Sequence, residues 1–259
     1  MTQRTEELKS PILRVLTILE EMVAAGRPVT ATEINRELGL PKATIHRLCG
    51  TLAEEGFLKH GLDGKRFLIG PRLRNLAVEV FSAGGQDAHI HTVLRNLSQQ
   101  VGETVNIAIA DGDRMLYLDR IETQWPLRMQ LPIGSRVPLH NTAGGKLFLA
   151  CISPARRRRL IVKLTLERSA PNTITDREQL HAAIERIAQN KIATDNQEFV
   201  EGMVCVAVPI RNSQARFVGS MAMHAPVHRM SMEQALSHAP LLKTAAAELS
   251  AVWKGENES

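Results

Sequence analysis

Apolar residues recur at helical spacing from the start of the chain. Ile12, Val15, Leu16, Leu19, Met22 and Val23 form one stripe, and Ser10-Pro11 supplies its beginning. Two shorter helices follow. Thr30 with Glu33 is a capping box, which starts the first of them just after Val29. Ile34 and Leu38 share one face, and Gly39 ends that helix because glycine accepts the left-handed C-terminal cap. Pro41 suits the first turn of the next helix, where its missing N–H would have had no partner. Ile45, Leu48 and Leu52 then point inward. The period changes at Phe57–His60 and Arg66–Ile69, two strand-like runs around the hairpin signal Gly61-Leu-Asp-Gly64. Helix, turn, helix and β-hairpin together predict a winged helix-turn-helix.

From Pro71 the helical spacing returns at Leu73, Leu76, Ala77, Val80 and Phe81, and Ser82-Ala-Gly-Gly85 breaks it. A domain boundary is therefore expected near residues 82–87. This linker helix packs either on a partner subunit or on its own domain, and the spacing does not choose. Beyond it, Ile90, Val93, Leu94, Leu97 and Val101 make an amphipathic helix closed by Gly102. Glu103–Ala110 and Arg114–Ile121 read as strands around Asp111-Gly-Asp113. Lys146–Cys151, Pro154–Leu166 and Asp176–Asn190 read as helices. Met203–Ile210 and Arg216–Met223 form a second strand pair around Arg211-Asn-Ser-Gln214, and Ser231–Lys254 closes the chain as one helix. Hairpins with segregated helices predict an antiparallel α+β domain.

Polar residues sharpen the picture. Lys42, Thr44, His46 and Arg47 lie away from the apolar side of the second short helix, as in a recognition helix facing a DNA major groove. Arg47 is the expected base reader, since its fork matches guanine. Lys65 and Arg66 flank the hairpin tip, within reach of phosphate or the minor groove, with Lys59 and His60 close by. The plainer alternative is a helical hairpin with a solvated face.

Composition adds modest constraints. The 259 residues carry a net charge of +5, with a pI near 9.4, compatible with a polyanionic partner. Between Arg36 and Arg74 the basic residues outnumber the acids Glu37, Glu54, Glu55 and Asp63. Cys49, Cys151 and Cys205 are scattered and odd in number, which argues against a disulfide framework and for a reducing compartment. No signal peptide and no membrane-length apolar run are read, so a cytoplasmic location is expected. The polar tails Met1–Lys9 and Gly255–Ser259 are expected to be loose.

The chain resembles the IclR-type transcriptional regulators. Pro41-Lys-Ala-Thr-Ile-His-Arg47 is similar to their recognition helix, and Phe67-Leu-Ile-Gly-Pro-Arg-Leu73 to their wing-to-linker junction. Gly102-Glu-Thr-Val105, Tyr117-Leu-Asp-Arg120, Val137-Pro-Leu-His140, Gly145-Lys146 and Cys205-Val-Ala-Val-Pro-Ile210 match their effector-domain blocks in order. The resemblance covers about residues 10–250. It implies a winged helix-turn-helix over 10–70, a linker helix over 71–86 and a GAF-like antiparallel-sheet domain over 87–254 for effector binding and oligomerisation. It further implies a homodimer or homotetramer on operator DNA, repressing a catabolic operon in response to a small carboxylate, with no cofactor.

Carried over residue by residue, the effector contacts fall on Ala143, Gly144, Asp195, Cys205, Ala222 and His224. For the first pair the physics agrees, because backbone N–H groups at a helix N-terminus attract an anion, and Asn141-Thr-Ala-Gly-Gly145 is small enough to let a ligand near the backbone. Ala222 and His224 depart from the small hydroxyl side chains of some relatives, and a histidine adds a donor, or a charge when protonated. A packed histidine and an apolar filler cysteine are the plainer readings of His224 and Cys205. Arg156–Arg159 read as a solvated face, His89 and His91 have no matching ligand set, Met221, Met223, Met230 and Met232 read as packing, and Tyr117 as a packed strand residue. The rival class is an enzyme, with Cys205 as a thiol nucleophile beside His224 and Asp195, or a metal held by Cys205 and His224. Two metal ligands are too few for a closed zinc site, so no metal is expected.

Overall fold

The structure, a computed structural model, describes residues 10–61, 63–82, 88–125 and 131–252. The two tails, Leu62 of the hairpin turn, and most of the expected boundary stretch lie outside them. The chain forms two compact units, residues 1–83 and 84–259.

In the first unit, α1 (Pro11–Ala25), α2 (Ala31–Leu38) and α3 (Lys42–Glu54) pack with a three-stranded antiparallel sheet, β1 (Val29–Thr30), β2 (Leu58–His60) and β3 (Arg66–Ile69), in the order β1-β3-β2. The capping box forms as the sequence predicts. Thr30 Oγ1 accepts the Glu33 N–H at 3.2 Å, and the Glu33 carboxylate accepts the Thr30 N–H at 2.8 Å. Gly39 closes α2 at a φ of +61°. Asn35, which the sequence reading passed over, staples the turn, donating to the Leu40 carbonyl at 2.7 Å and accepting its N–H at 2.9 Å. Pro41 is the N-cap of α3 and not its first turn, one residue earlier than expected.

The stripe on α1 is corrected. Ile18 and Met22 are buried and Val15, Leu19 and Ala25 pack beside them, whereas Ile12, Leu16 and Val23 are 71%, 48% and 61% exposed. The helix is apolar over a wider arc than its own core covers. On α3, Ile45, Cys49 and Leu52 are buried and Leu48 only half-buried. Helix α4 (Pro71–Ser82) is stitched to this unit at its start, where Arg72 lies 4.6 Å from the Phe57 ring centre and 2.7 Å from the Glu55 carboxylate. Gly70 allows this junction, because a Cβ there would lie 2.1 Å from the Gly56 carbonyl oxygen.

The second unit is built on a six-stranded antiparallel sheet ordered β6-β5-β4-β9-β8-β7. Its strands are β4 (Thr104–Asp111), β5 (Arg114–Ile121), β6 (Arg136–Pro138), β7 (Ala193–Asn196), β8 (Met203–Arg211) and β9 (Phe217–Pro226). One face carries α5 (Ala88–Val101), α9 (Met232–Ser237) and α10 (Ala239–Val252). There Val105, Ile107, Val206, Val208, Met221 and Met223 meet the predicted stripe of α5. The other face carries α6 (Ala143–Cys151), α7 (Pro154–Lys163) and α8 (Arg177–Asn190), packed through Leu147, Leu149, Ile161, Leu180 and Ile184. The single C-terminal helix expected from Ser231 is divided at His238. Pro240 has no N–H to donate to Leu236, so the ladder restarts at Ala239. The short strands β1, β6 and β7 were not foreseen.

Candidate functional site

Two sites emerge, one in each unit. In the first, α3 presents Lys42, His46 and Arg47 to solvent and leaves Thr44 half-buried. The three apolar residues on its opposite face fix that orientation. None of Lys42, His46 or Arg47 forms an ion pair among the described residues. At the hairpin, Lys65 and Arg66 are exposed. The Asp63 carboxylate accepts both their backbone N–H groups at 3.1 Å, which holds it below the usual carboxylate range and shapes the tip. Asp63 also lies 3.8 Å from the Arg66 side chain, so Lys65 is the less encumbered cation. Lys59 and His60 are exposed as well, and His60 lies against Phe67 with ring centres 4.9 Å apart.

In the second unit, a small pocket lies between the sheet and the start of α6. All six residues carried over from the resemblance line it: Ala143, Gly144, Asp195, Cys205, Ala222 and His224. Several elements bring them together. Thr142 caps α6, accepting the Gly145 N–H at 3.2 Å and donating to the Pro138 carbonyl at 2.6 Å, so Ala143 and Gly144 open the helix against the cavity. Register on the sheet places Asp195 opposite Cys205, and Cys205 opposite His224. Gly144 admits no side chain freely, since a Cβ would lie 2.8 Å from Ser220 Oγ.

Burial dominates the electrostatics. Asp195 Oδ1 accepts the N–H groups of Glu198 at 2.7 Å and Phe199 at 3.3 Å, yet burial raises its carboxyl to about 7. His224 Nε2 lies 2.6 Å from Asn106 Oδ1 and 3.9 Å from Cys205 Sγ, and burial with nearby Arg120 lowers its imidazole to about 3. The histidine is therefore neutral, and the charged form weighed in the sequence reading does not arise near neutral pH. Burial also pushes the Cys205 thiol well above its ordinary value. Cys205 and His224 are thus adjacent, as the enzyme reading needs, but the buried site disfavours a thiolate–imidazolium pair. Among the described residues no group of three or more His, Cys, Asp or Glu gathers as metal ligands.

The sequence reading missed other pocket residues. Asn106, Tyr117 and Ser220 line the cavity, and Tyr117 is both packed and pocket-facing. Lys146 and Glu198 form a buried ion pair that ties α6 to the turn after β7. Thr173 reinforces that turn by donating to the Glu198 carbonyl at 2.6 Å. Strand alternation could have revealed Asn106 and Ser220, but nothing local links Lys146 to a glutamate 52 residues away.

Comparison with known proteins gives consistent matches. Residues 11–61 match the IclR helix-turn-helix domain, and residues 87–251 match the bacterial transcriptional regulator IclR C-terminal domain. A transcriptional regulator of Cupriavidus necator named SauR is 40% identical over 237 residues, covering 92% of this chain and 94% of its own. The transcriptional repressor IclR of Escherichia coli is 25% identical, covering 94% and 90%. A crystal structure of an IclR homologue from Microbacterium hydrocarbonoxydans, complexed with 4-hydroxybenzoate, has a TM-score of 0.58 and 24% identity, covering 95% of this chain and all of its own. No helix among the described residues is long and apolar enough to cross a membrane.

Proposed function

Since the chain belongs to the IclR family of transcriptional regulators, we propose that it is a non-catalytic repressor of a catabolic operon whose hold on DNA is set by a small carboxylate. The observation that carries the effector half of this reading is the pocket. It sets the opening turn of α6 against Asp195, Cys205 and His224 in one small cavity. Helix-start N–H groups favour an anion without a charged side chain. The ligand named for the Microbacterium homologue is a carboxylate, and the E. coli relative is named a repressor, which supports both parts by analogy.

On the DNA side, Lys42, Thr44, His46 and Arg47 are the proposed groove contacts, with Arg47 reading a base and Lys65 and Arg66 holding phosphate. The protein would act as a homo-oligomer, setting two recognition helices roughly 34 Å apart. The uncovered apolar arc of α1, Ile12, Leu16 and Val23, supports a second copy seated there. The effector would shift the balance between DNA-competent and incompetent arrangements.

The test is a gel-shift on the DNA flanking its gene, at two salt concentrations, with competitor DNA and a panel of small carboxylates. A competitor-resistant shift released by one acid is expected. Arg47→Ala should abolish the specific shift. Lys65→Ala should weaken all sequences alike and lower the salt slope by about 1. A specific shift that no acid alters would remove the effector half. Absence of any specific shift there, and in a selection from genomic fragments, would remove the DNA half.

A further inference from the structure

The pocket poses a problem of charge. An anion at the start of α6 shares a small cavity with the carboxyl group of Asp195, which is 6% exposed. Two like charges in so dry a space cannot both persist at low cost. The cations nearby are already matched. Lys146 on α6 is ion-paired with Glu198. Arg120 on β5 lies 3.5 Å from the Glu122 carboxylate. Neither brings a net positive charge to an incoming acid.

The remaining titratable groups narrow the outcome. Tyr117 on β5 and Cys205 on β8 are neutral, and burial raises both further from ionisation. His224 on β9 is held neutral by burial and by Arg120. His140, just before α6, lies 3.0 Å from the Glu167 carbonyl oxygen, and burial lowers it too. Asp195 is the group that can take a proton. Its Oδ1 is committed to two backbone N–H groups, while Oδ2 makes no hydrogen bond among the described residues. Burial already raises its carboxyl to about 7.

We infer that an acidic effector enters this pocket as a monoanion together with one proton, and that the proton resides on Asp195. This rests on the carboxylate-sensing reading above. It also narrows the ligand class. A protonated Asp195 is a donor, so the effector is a monocarboxylic acid offering an oxygen to it. A dicarboxylate would bring a second charge that no group here matches.

The test is titration calorimetry on the full chain between pH 6 and 8.5, in buffers of differing protonation heat. The probes are acetate, glycolate, 3-hydroxybutyrate and 4-hydroxybenzoate, with malonate as the dianion. At pH 8 the expected result is uptake of close to one proton per acid bound, with affinity falling about tenfold per pH unit above 7. Asp195→Asn keeps the Oδ1 acceptor and places an N–H donor at the second position. It should bind the same acid without proton uptake and with a flat pH profile. Binding to the native chain with no proton uptake overturns the inference and leaves the carboxylate reading standing. Loss of binding in a folded Asp195→Asn protein, or malonate binding as tightly as a monocarboxylate, overturns it as well. If no probe binds either protein at any pH, both readings fall together.

Discussion

Asp195 and His224 line one cavity and respond to pH in opposite senses. The folded chain keeps Asp195 protonated up to about 7, whereas the unfolded chain releases that proton near 3.8. The folded state therefore binds more protons in that window, and this group's contribution to stability falls as pH rises through it. His224 stays neutral down to about 3 when folded but takes up a proton below 6.5 when unfolded, so its contribution falls as pH drops from 6.5. Thermal melts from pH 4 to 8 should show Asp195→Asn gaining on the native chain as pH rises from 4 to 7. A constant difference across that range would mean Asp195 is not buried as described. Gly144, which lines the pocket, and its neighbour Gly145, which does not, should separate stability from binding. At Gly145 a Cβ would lie 2.4 Å from Leu139 Cα, against backbone, so Gly145→Ala should cost about 1–3 kcal/mol in denaturant unfolding. At Gly144 the neighbour is the Ser220 hydroxyl, which can rotate, so Gly144→Ala should leave stability near native and weaken acid binding in calorimetry. Six of the residues that line the pocket were legible only by carrying the family's contact positions over one by one, since Cys205 alone of them lies in a quoted block. The Lys146–Glu198 pair was not, because an ion pair formed across the fold leaves no local spacing.

Elements were most legible where their chemistry is local. The Thr30 and Glu33 box, the Gly39 stop and the hairpin were all readable because each involves residues three or four apart. Thr30→Ala should cost about 1 kcal/mol in denaturant unfolding, and an unchanged midpoint would deny the cap its role. Boundaries set by tertiary contacts were less legible. The stripe on α1 holds both core residues, Val15, Leu19 and Met22, and exposed ones, Ile12, Leu16 and Val23, since an arc this wide does not say which part meets the core. Strands β6 and β7 have three and four residues and sit at the two edges of the sheet, too short for alternation to show. The division of the last helix is written in the sequence at Pro240, which cannot donate within a helical run.

At the scale of the whole molecule, the sequence reads as a nucleic-acid module followed by a sensing domain, and the family models match residues 11–61 and 87–251. What one chain cannot encode visibly is its own partner surface. Ile12, Leu16 and Val23 lie outside the core of their unit, so changing them should leave folding intact. Ile12→Ser with Leu16→Ser should lower the mass seen in analytical ultracentrifugation and weaken operator binding, at an unchanged melting temperature. Retention of the native mass would place the subunit contact elsewhere.

Strand β9 carries Ser220, Ala222 and His224 on the cavity side, while Met221, Met223 and Ala225 alternate with them into the opposite core. Under the proposed function, recognition and support are thus written on interleaved letters of one short segment. Three codons can be randomised while the methionines that anchor the strand stay in place. Coupled to a fluorescent reporter, such a library would turn this scaffold into a family of metabolite biosensors, each tuned by side chains that contribute nothing to the opposite core.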